Sequence, residues 1–399
     1  MQSNGTDAGE GLPMRNGIFL APFHPLDQDP TEAIQRDLEL IEALDRFGYE
    51  EAWVGEHHSA GFEIISSPEL FIAAAAERTK KIKLGTGVVS LPYHNPLMAA
   101  NRIIQLDHMP RGRVMFGVGP GLLPSDAMML GVDPMTQRDR MMEGIEVILR
   151  LFKGEVVTEK TEWYNLVKAR AHLLPYTKPY PEVVVASAVS PSGGRAAGKL
   201  DLGMLCVAAT NAGGFDALGT NGGIACEIAK ENGRTMDRGR LRLVGPVHIA
   251  ETREQARANV KWGLHKWQEY FARLNPLTPT GPTGGDPVDA MIESGQAVIG
   301  TPDDAIAQIK RLRGQQGEFG AFLQLAHNWA SWDNTIKSYQ LWAEHVAPVF
   351  KNANTSRQAS FDYTMSNAQE FMGKAMQAAG AMIQKHADEQ AAKGHARTS

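Results

Sequence analysis

Residues 82–122 read IKLGTGVVSLPYHNPLMAANRIIQLDHMPRGRVMFGVGPGL. Ile82 to Ser90 is an apolar, β-branched run interrupted by Gly85 and Gly87. Pro96 to His108 carries Leu97, Ala100, Ile103, Ile104 and Leu106 at roughly helical spacing. Pro96 suits a first helical position, where its missing N–H would have no partner. Val114 to Gly119 is a second apolar run, closing on Gly-Pro-Gly. Two near-continuous apolar strands joined by a helix mark a parallel βαβ unit buried on both faces.

The same alternation extends in both directions. Towards the N-terminus, Gly17–Pro22 and Glu51–Glu56 read as strands, followed by helices at Pro30–Gly48 and Pro68–Thr79. Beyond the unit, Thr136–Phe152 is helical, and residues 153–180 form an irregular insertion with room for a hairpin. Strands are then expected at Glu182–Val189, Leu202–Ala208, Leu241–Ala250 and Ala321–Ala326. Helices are expected from Ser190 to Lys199, at Ile224–Asn232, Glu251–Phe271, Pro302–Leu312 and Ser331–His345. Gly222-Gly223 should open the helix before Asn232. Eight strands, each followed by a helix, predict an α/β fold of the (β/α)8 TIM-barrel class with loop insertions. A doubly wound sheet shares the alternation and is the competing fold. Residues 1–16 are expected to be a disordered tail, 17–350 the barrel domain, and 351–399 a helical extension. In that extension Phe371, Met372, Ala375, Met376, Ala379, Met382 and Ile383 form an apolar stripe for the barrel or a partner subunit, consistent with a homodimer or higher homo-oligomer.

Composition narrows the function. Forty-five acidic against 40 basic residues leave a net charge of −5, which gives no electrostatic footprint for nucleic acid. No apolar run reaches the ~18–20 residues of a membrane span. The N-terminus lacks the apolar core of a secretory signal. Cys206 and Cys226 have no metal-ligand spacing, so two ordinary buried thiols in a cytoplasmic protein without a metal site are expected.

In a barrel, chemistry collects at the C-terminal strand ends. Four segments there are unusual. Glu56-His57-His58 follows a buried strand; neighbouring side chains point to opposite sides, so one histidine can line a pocket as a proton donor or acceptor. Gly85-Thr-Gly87-Val88 and Gly117-Val-Gly119-Pro-Gly121 place glycines where a flat ligand could approach the backbone. A bulky residue at Gly87 should then damage cofactor binding before folding. The second segment misses the GxGxxG spacing of a dinucleotide site, because position 122 is Leu. Ala188-Val189-Ser190-Pro-Ser192-Gly193-Gly194 ends a strand in small residues at a helix N-terminus, an arrangement that favours phosphate. Gly193–Lys199 also matches GxxxxGK, but Leu200 stands where a Ser or Thr must hold Mg²⁺, which excludes a nucleoside triphosphatase.

The segments EAWVGEHHSAGF, LGTGVVSLPYHNPLMAANRIIQLDHMPRGRVMFGVGPGL and LGVDPMTQRDRMME together resemble the bacterial luciferase-like flavin-dependent monooxygenases. Order and spacing hold from about residue 15 to 345. APFH, GEHHSAGFEIISSPELFIAAAAERT and GVGPGLLPSDA are most similar to the limonene 1,2-monooxygenase-like branch. The resemblance implies a (β/α)8 barrel that takes reduced FMN from a separate NAD(P)H-dependent flavin reductase. It implies O₂ activation as a flavin C4a-hydroperoxide and oxygenation of a small apolar substrate such as a terpene, ketone or aldehyde. It assigns His57, with His58 beside it, to the catalytic site next to the flavin. Gly87-Val88 matches the family's cis peptide bond at the flavin ring. Gly117 and Gly119 edge the ring, and Arg138 matches an arginine that pairs with the FMN phosphate. Ala188, Val189, Ser190, Ser192 and Gly193 fall on the phosphate loop. Gly119-Pro120 replaces the luciferase Cys-Arg, so one luciferase phosphate contact is missing. Phe23, His24, Phe62, Tyr93, His94 and His327 lie at strand ends or in the loops after them, as candidates to line the substrate pocket. Residues 274–287 are Pro/Gly-rich and are expected to act as a lid. Two alternatives share these features: a deazaflavin-dependent oxidoreductase working by hydride transfer, and a non-catalytic flavin-binding protein.

Overall fold

The computed structural model describes residues 11–21, 23–207, 210, 216–274 and 285–395. Eight parallel strands close into a barrel: β1 (Arg15–Leu20), β2 (Glu51–Val54), β3 (Lys83–Thr86), β4 (Val114–Gly119), β5 (Val183–Ser187), β6 (Gly203–Cys206), β7 (Leu241–Ile249) and β8 (Ala321–Leu325). Successive strands pair from β1 through β8, and β8 pairs with β1 to close the ring. A doubly wound sheet never closes on itself; these eight strands do, with the short strand Val298–Gly300 added outside the ring on β7, so the barrel is the fold.

The helices that cover it are α1 (Pro30–Phe47), α2 (Pro68–Arg78), α3 (Pro96–His108), α4 (Gln137–Phe152), α5 (Ser192–Leu200), α6 (Ala217–Glu231), α7 (Pro302–Gln316) and α8 (Trp332–Leu341). α1 shows why they form where they do. Asp29 accepts from the Thr31 and Glu32 N–H groups, Pro30 takes the first turn, and Gly48 ends the helix at φ 81°. The insertion after α4 is an antiparallel hairpin, Val157–Lys160 with Asn165–Ala169.

Inside the barrel Trp53, Met115, Val184, Leu205, Val244, Ala321 and Leu323 form one apolar cluster. Towards the N-terminal strand ends, level with Ala321, Arg242 is buried, bonded to Glu51 at 2.7 Å and Glu182 at 2.8 Å, with its guanidinium 4.9 Å from the Trp53 ring centroid. Burial would raise the Glu51 pKa, but Arg242 and Arg15 outweigh it and hold the carboxyl at about 2. The barrel is therefore plugged at its N-terminal end, and space for a ligand remains at the other.

Four expectations change. The first strand begins at Arg15, not Gly17, because Met14 is buried and donates its N–H to Phe350 O, and Arg15 bonds Glu51. Residues 1–10 lie outside the described residues. The single helix expected over Glu251–Phe271 is two, Arg253–Val260 and Leu264–Leu274; the chain turns at Gly263, whose N–H bonds Trp329 O and where a Cβ would stand 2.0 Å from Asn328 O. α6 starts at Ala217, so Gly222 and Gly223 sit inside the helix rather than opening it. Cys206 is buried, but Cys226 is half-buried.

The chain divides into two compact units. One runs from Glu10 to Lys351; the other contains the helices Thr355–Ser366 and Ala368–His395. In those helices Phe361, Tyr363, Phe371, Met376 and Ile383 are exposed. No described helix is long and apolar enough to cross a membrane.

Candidate active site at the strand ends

His57 and His58 follow β2, and the structure gives them different surroundings. His57 is largely buried. Its Nδ1 donates to Asp126 Oδ2 at 3.0 Å, and its Nε2 forms an ion pair with Glu63 Oε2 at 2.6 Å that lacks hydrogen-bond alignment. Burial alone would lower the pKa of this imidazole. The Glu63 charge and the Asp126 bond outweigh that and push it up to about 10. His57 is therefore an imidazolium whose two nitrogens are both engaged. Asp126, on the short helix Pro124–Met129, also accepts from the His58 N–H and the Ser59 hydroxyl. These contacts overcome its own burial and lower its pKa.

His58 turns to Glu56. Its Nε2 donates to Glu56 Oε1 at 2.8 Å, and that bond raises its pKa. Its Nδ1 has no hydrogen bond among the described residues and is not sealed from solvent. Glu56 is almost fully buried and also accepts from His94 Nε2 at 2.7 Å and the Ser90 N–H at 2.7 Å. Burial would raise Glu56; these donors hold it at about 2. Tyr93 lies edge-on to His58 with ring centroids 6.0 Å apart, and its hydroxyl accepts from Gln137 Nε2.

The Gly87–Val88 peptide bond is cis. The glycines around it answer to protein packing. A Cβ on Gly87 would stand 2.9 Å from Trp53 Cβ, and one on Gly117 would stand 2.0 Å from Thr86 O. Thr86 Oγ1 and Gly117 exchange two hydrogen bonds. Gly119 makes room for Val88, whose Cγ2 would lie 2.5 Å from an added Cβ. A bulky residue at Gly87 would thus strike the barrel core, which corrects the expectation that it would harm cofactor binding first.

At the β5–α5 turn, Ala188, Val189 and Ser190 lead into α5, which begins at Ser192. Pro191 occupies the capping position and supplies no side-chain cap. The Ser192 N–H reaches Ser190 Oγ at 3.3 Å, and the N–H groups of Gly193 and Gly194 have no bond within the described residues. Asn221 on α6 fixes the turn: its Nδ2 lies within bonding distance of Ser187 Oγ, Ala188 O and Ser190 O. Gly193 packs so near β5 that a Cβ would meet Ala186 O at 2.7 Å. An uncapped helix start with two hydroxyls and free N–H groups has the donor set for a phosphate. Arg138, in the first turn of α4, is exposed and makes no hydrogen bond or ion pair among the described residues.

The pocket candidates fall into three groups. Tyr93 and His94 join the Glu56–His58 cluster. Phe23 stacks on Phe62 at 5.4 Å, and Phe62 meets Tyr270 at 4.7 Å; Tyr270 also faces Glu63. The loops after β1 and β2 are zipped together here by a Phe23–Glu63 bridge and by the His24 N–H on Phe62 O. His24 and His327 open instead, with Phe23, Asp37, Trp262 and Trp332, onto a cleft of about 260 Å³. His24 Nε2 lies 2.9 Å from Asp37 Oδ2. Burial pushes His327 down to about 4, and its Nε2 donates to Val247 O. Of the expected lid, 275–284 lies outside the described residues, and Pro287–Glu293 is a helix.

Glu63, Asp126 and Asn221 escaped the sequence reading as site residues. The strings GFEII and PSDA contain the first two, but nothing local ties either to His57.

A sequence model of the luciferase-like monooxygenases matches residues 14–317. Limonene 1,2-monooxygenase from Rhodococcus erythropolis is 48% identical over 351 residues, covering 88% of this chain and 90% of that protein. The 4-hydroxyprotoasukamycin monooxygenase of Streptomyces nodosus subsp. asukaensis is 43% identical, covering 88% and 96%. The solved structure of the oxygenating constituent of 3,6-diketocamphane monooxygenase from Pseudomonas putida, in complex with FMN, superposes with a TM-score of 0.71 at 24% identity, covering 84% of this chain and 99% of that chain.

Proposed function

The chain belongs to the luciferase-like monooxygenase family, and from that premise we propose that it uses reduced FMN to activate O₂ and transfers one oxygen atom to a small apolar molecule, a terpene such as limonene, a ketone or an aldehyde. The observation that carries this reading is the His57 imidazolium clamped between Glu63 and Asp126 at the same barrel end as the uncapped start of α5. Ser190, Ser192 and Gly193 would hold the FMN phosphate, with Arg138 as an outer cation and Ala188 and Val189 in the same turn. The Gly87–Val88 edge, Gly117 and Gly119 would border the ring. Bound there, reduced FMN supplies the electrons that activate O₂. Glu63 and Asp126 hold His57 protonated and fixed in orientation, so the ring would meet a bound group without reorganising. Phe23, Phe62 and Tyr270 offer an apolar wall that supports an apolar acceptor and the exclusion of water.

The diketocamphane neighbour is described as an oxygenating constituent, which supports delivery of reduced FMN by a separate NAD(P)H-dependent flavin reductase. The test is a titration with FMN and with a deazaflavin, followed by O₂ consumption with reduced FMN and a panel of terpenes, ketones and aldehydes, products read by mass spectrometry. Saturable FMN binding and an oxygenated product are expected. Binding of the deazaflavin alone would replace oxygenation with hydride transfer. FMN binding with neither O₂ uptake nor product would leave a binding protein.

A further inference from the structure

A chain of five charged or titratable side chains runs from the surface of α2 to the open nitrogen of His58. Glu69 Oε1 accepts from Arg102 Nε at 3.1 Å, and Ser67 Oγ steadies the other Glu69 oxygen. Arg102 Nη2 lies 3.1 Å from His94 Nδ1. His94 Nε2 and His58 Nε2 meet the same atom, Glu56 Oε1, at 2.7 and 2.8 Å. Arginine gives up no proton in a protein, so it must donate, and His94 Nδ1 must accept. His94 is then the Nε2–H tautomer, and its one proton points at Glu56.

We propose that Arg102 is a positioning residue that acts through His94 and Glu56 to reserve the mobile proton of this cluster for His58 Nδ1. While Arg102 occupies His94 Nδ1, that ring cannot take a second proton, and the Glu56 charge stabilises a proton on His58 alone. Without Arg102, His94 gains a free basic nitrogen beside the same carboxylate and competes for the charge. The other groups facing His58 are Asp126, whose charge favours the proton, His57, whose charge opposes it, and the edge of Tyr93. His94 faces Glu56 and Arg102, and Arg102 faces Glu69.

The role rests on the monooxygenase reading for its use. Reduced FMN, O₂ and substrate give oxidised FMN, oxygenated product and one water, so a proton must reach the departing oxygen. His57 has both nitrogens engaged; His58 Nδ1 is open. The proton would leave that nitrogen for the departing oxygen, and the ring would be recharged at its exposed side from solvent, which takes up the proton that reduced FMN releases on reoxidation.

The test needs no flavin. In the full-length chain labelled with ¹⁵N-histidine, imidazole correlation spectra from pH 7 to 9 should show His94 protonated on Nε2 and bare on Nδ1. In Arg102→Met the titration midpoint of His58 should fall by about one unit, and Arg102→Lys, which keeps a donor, should restore it. In a His94→Gln background Arg102→Met should move His58 by less than a third of that, because the competitor is gone. With reduced FMN and a substrate found by the panel above, the pH at which product gives way to peroxide should shift down by the same unit. A proton on His94 Nδ1 in the parent overturns the proposal whatever the variants do. So does an unchanged His58 midpoint in a folded Arg102→Met, or an equal shift in the His94→Gln background. Because the titration is read without cofactor, it decides the role of Arg102 even where the oxygenation assay fails.

Discussion

His57 sits where three effects compete. Burial favours the neutral ring, and two carboxylates favour the charged one. The carboxylates win because each lies within 3.0 Å of a ring nitrogen. Removing the ring leaves both acids buried without a cation. His57→Ala should therefore cost about 3–5 kcal/mol of stability in urea unfolding. It should also lose substrate oxygenation and release more peroxide; unchanged coupling of O₂ to product would remove His57 from the mechanism. The pH dependence has a definite sign. The folded pKa of about 10 lies above the ordinary histidine value near 6.5. The stabilisation from this ring is thus complete below about pH 6.5 and fades as pH rises through 10. Denaturation between pH 7 and 10 should show a falling stability that His57→Gln flattens. Glu56 works in the other direction: held at about 2, it stabilises above the ordinary carboxylate range and loses that contribution as pH falls towards 2.

The strand ends carry a cost set by Trp53, which fills the centre of the barrel. β3 and β4 can pass it and each other because Gly85, Gly87 and Gly117 carry no side chain. Gly117→Ala puts a methyl 2.0 Å from a backbone oxygen that cannot rotate away. A loss of about 3 kcal/mol or more is expected. Gly223 lies inside α6, and a Cβ there meets nothing within 4 Å. Gly223→Ala should stabilise by up to about 1 kcal/mol. Thermal unfolding of the two variants decides between packing and ligand approach as the reason for glycine at position 117. The contrast also marks what a sequence can disclose. The eight strands are legible because an apolar run is a local signal, as is the βαβ pattern around Gly87. The Trp53 that requires those glycines lies far from them along the chain. The partners of His57 come from two different segments, Glu63 from the loop after β2 and Asp126 from the short helix Pro124–Met129, and Asn221 holds a turn 31 residues before it. His24 reads as a neighbour of the substrate, yet its nearest partner, Asp37, is on α1. Contacts made only by closing the barrel leave no mark on any single stretch.

At the scale of the molecule, the core decides where the barrel unit ends. The strand-to-helix core of this unit reaches to Phe350, which is buried, accepts the Met14 N–H and lies under the Arg313 guanidinium at 5.3 Å. Val346 and Ala347 are buried beside it in sequence. The described residues of that core all fall between Met14 and Phe350. A chain ending at Lys351 should therefore keep its melting temperature within about 2 °C and its FMN affinity within about twofold. A chain ending at His345 loses a buried phenylalanine and a buried valine, a deficit of more than about 3 kcal/mol, and should melt several degrees lower. Calorimetry of the two truncations, each followed by FMN titration, tests whether 352–399 is dispensable to the barrel. A loss of FMN binding in the longer truncation, with its melting temperature unchanged, would instead assign the last helices to the site itself.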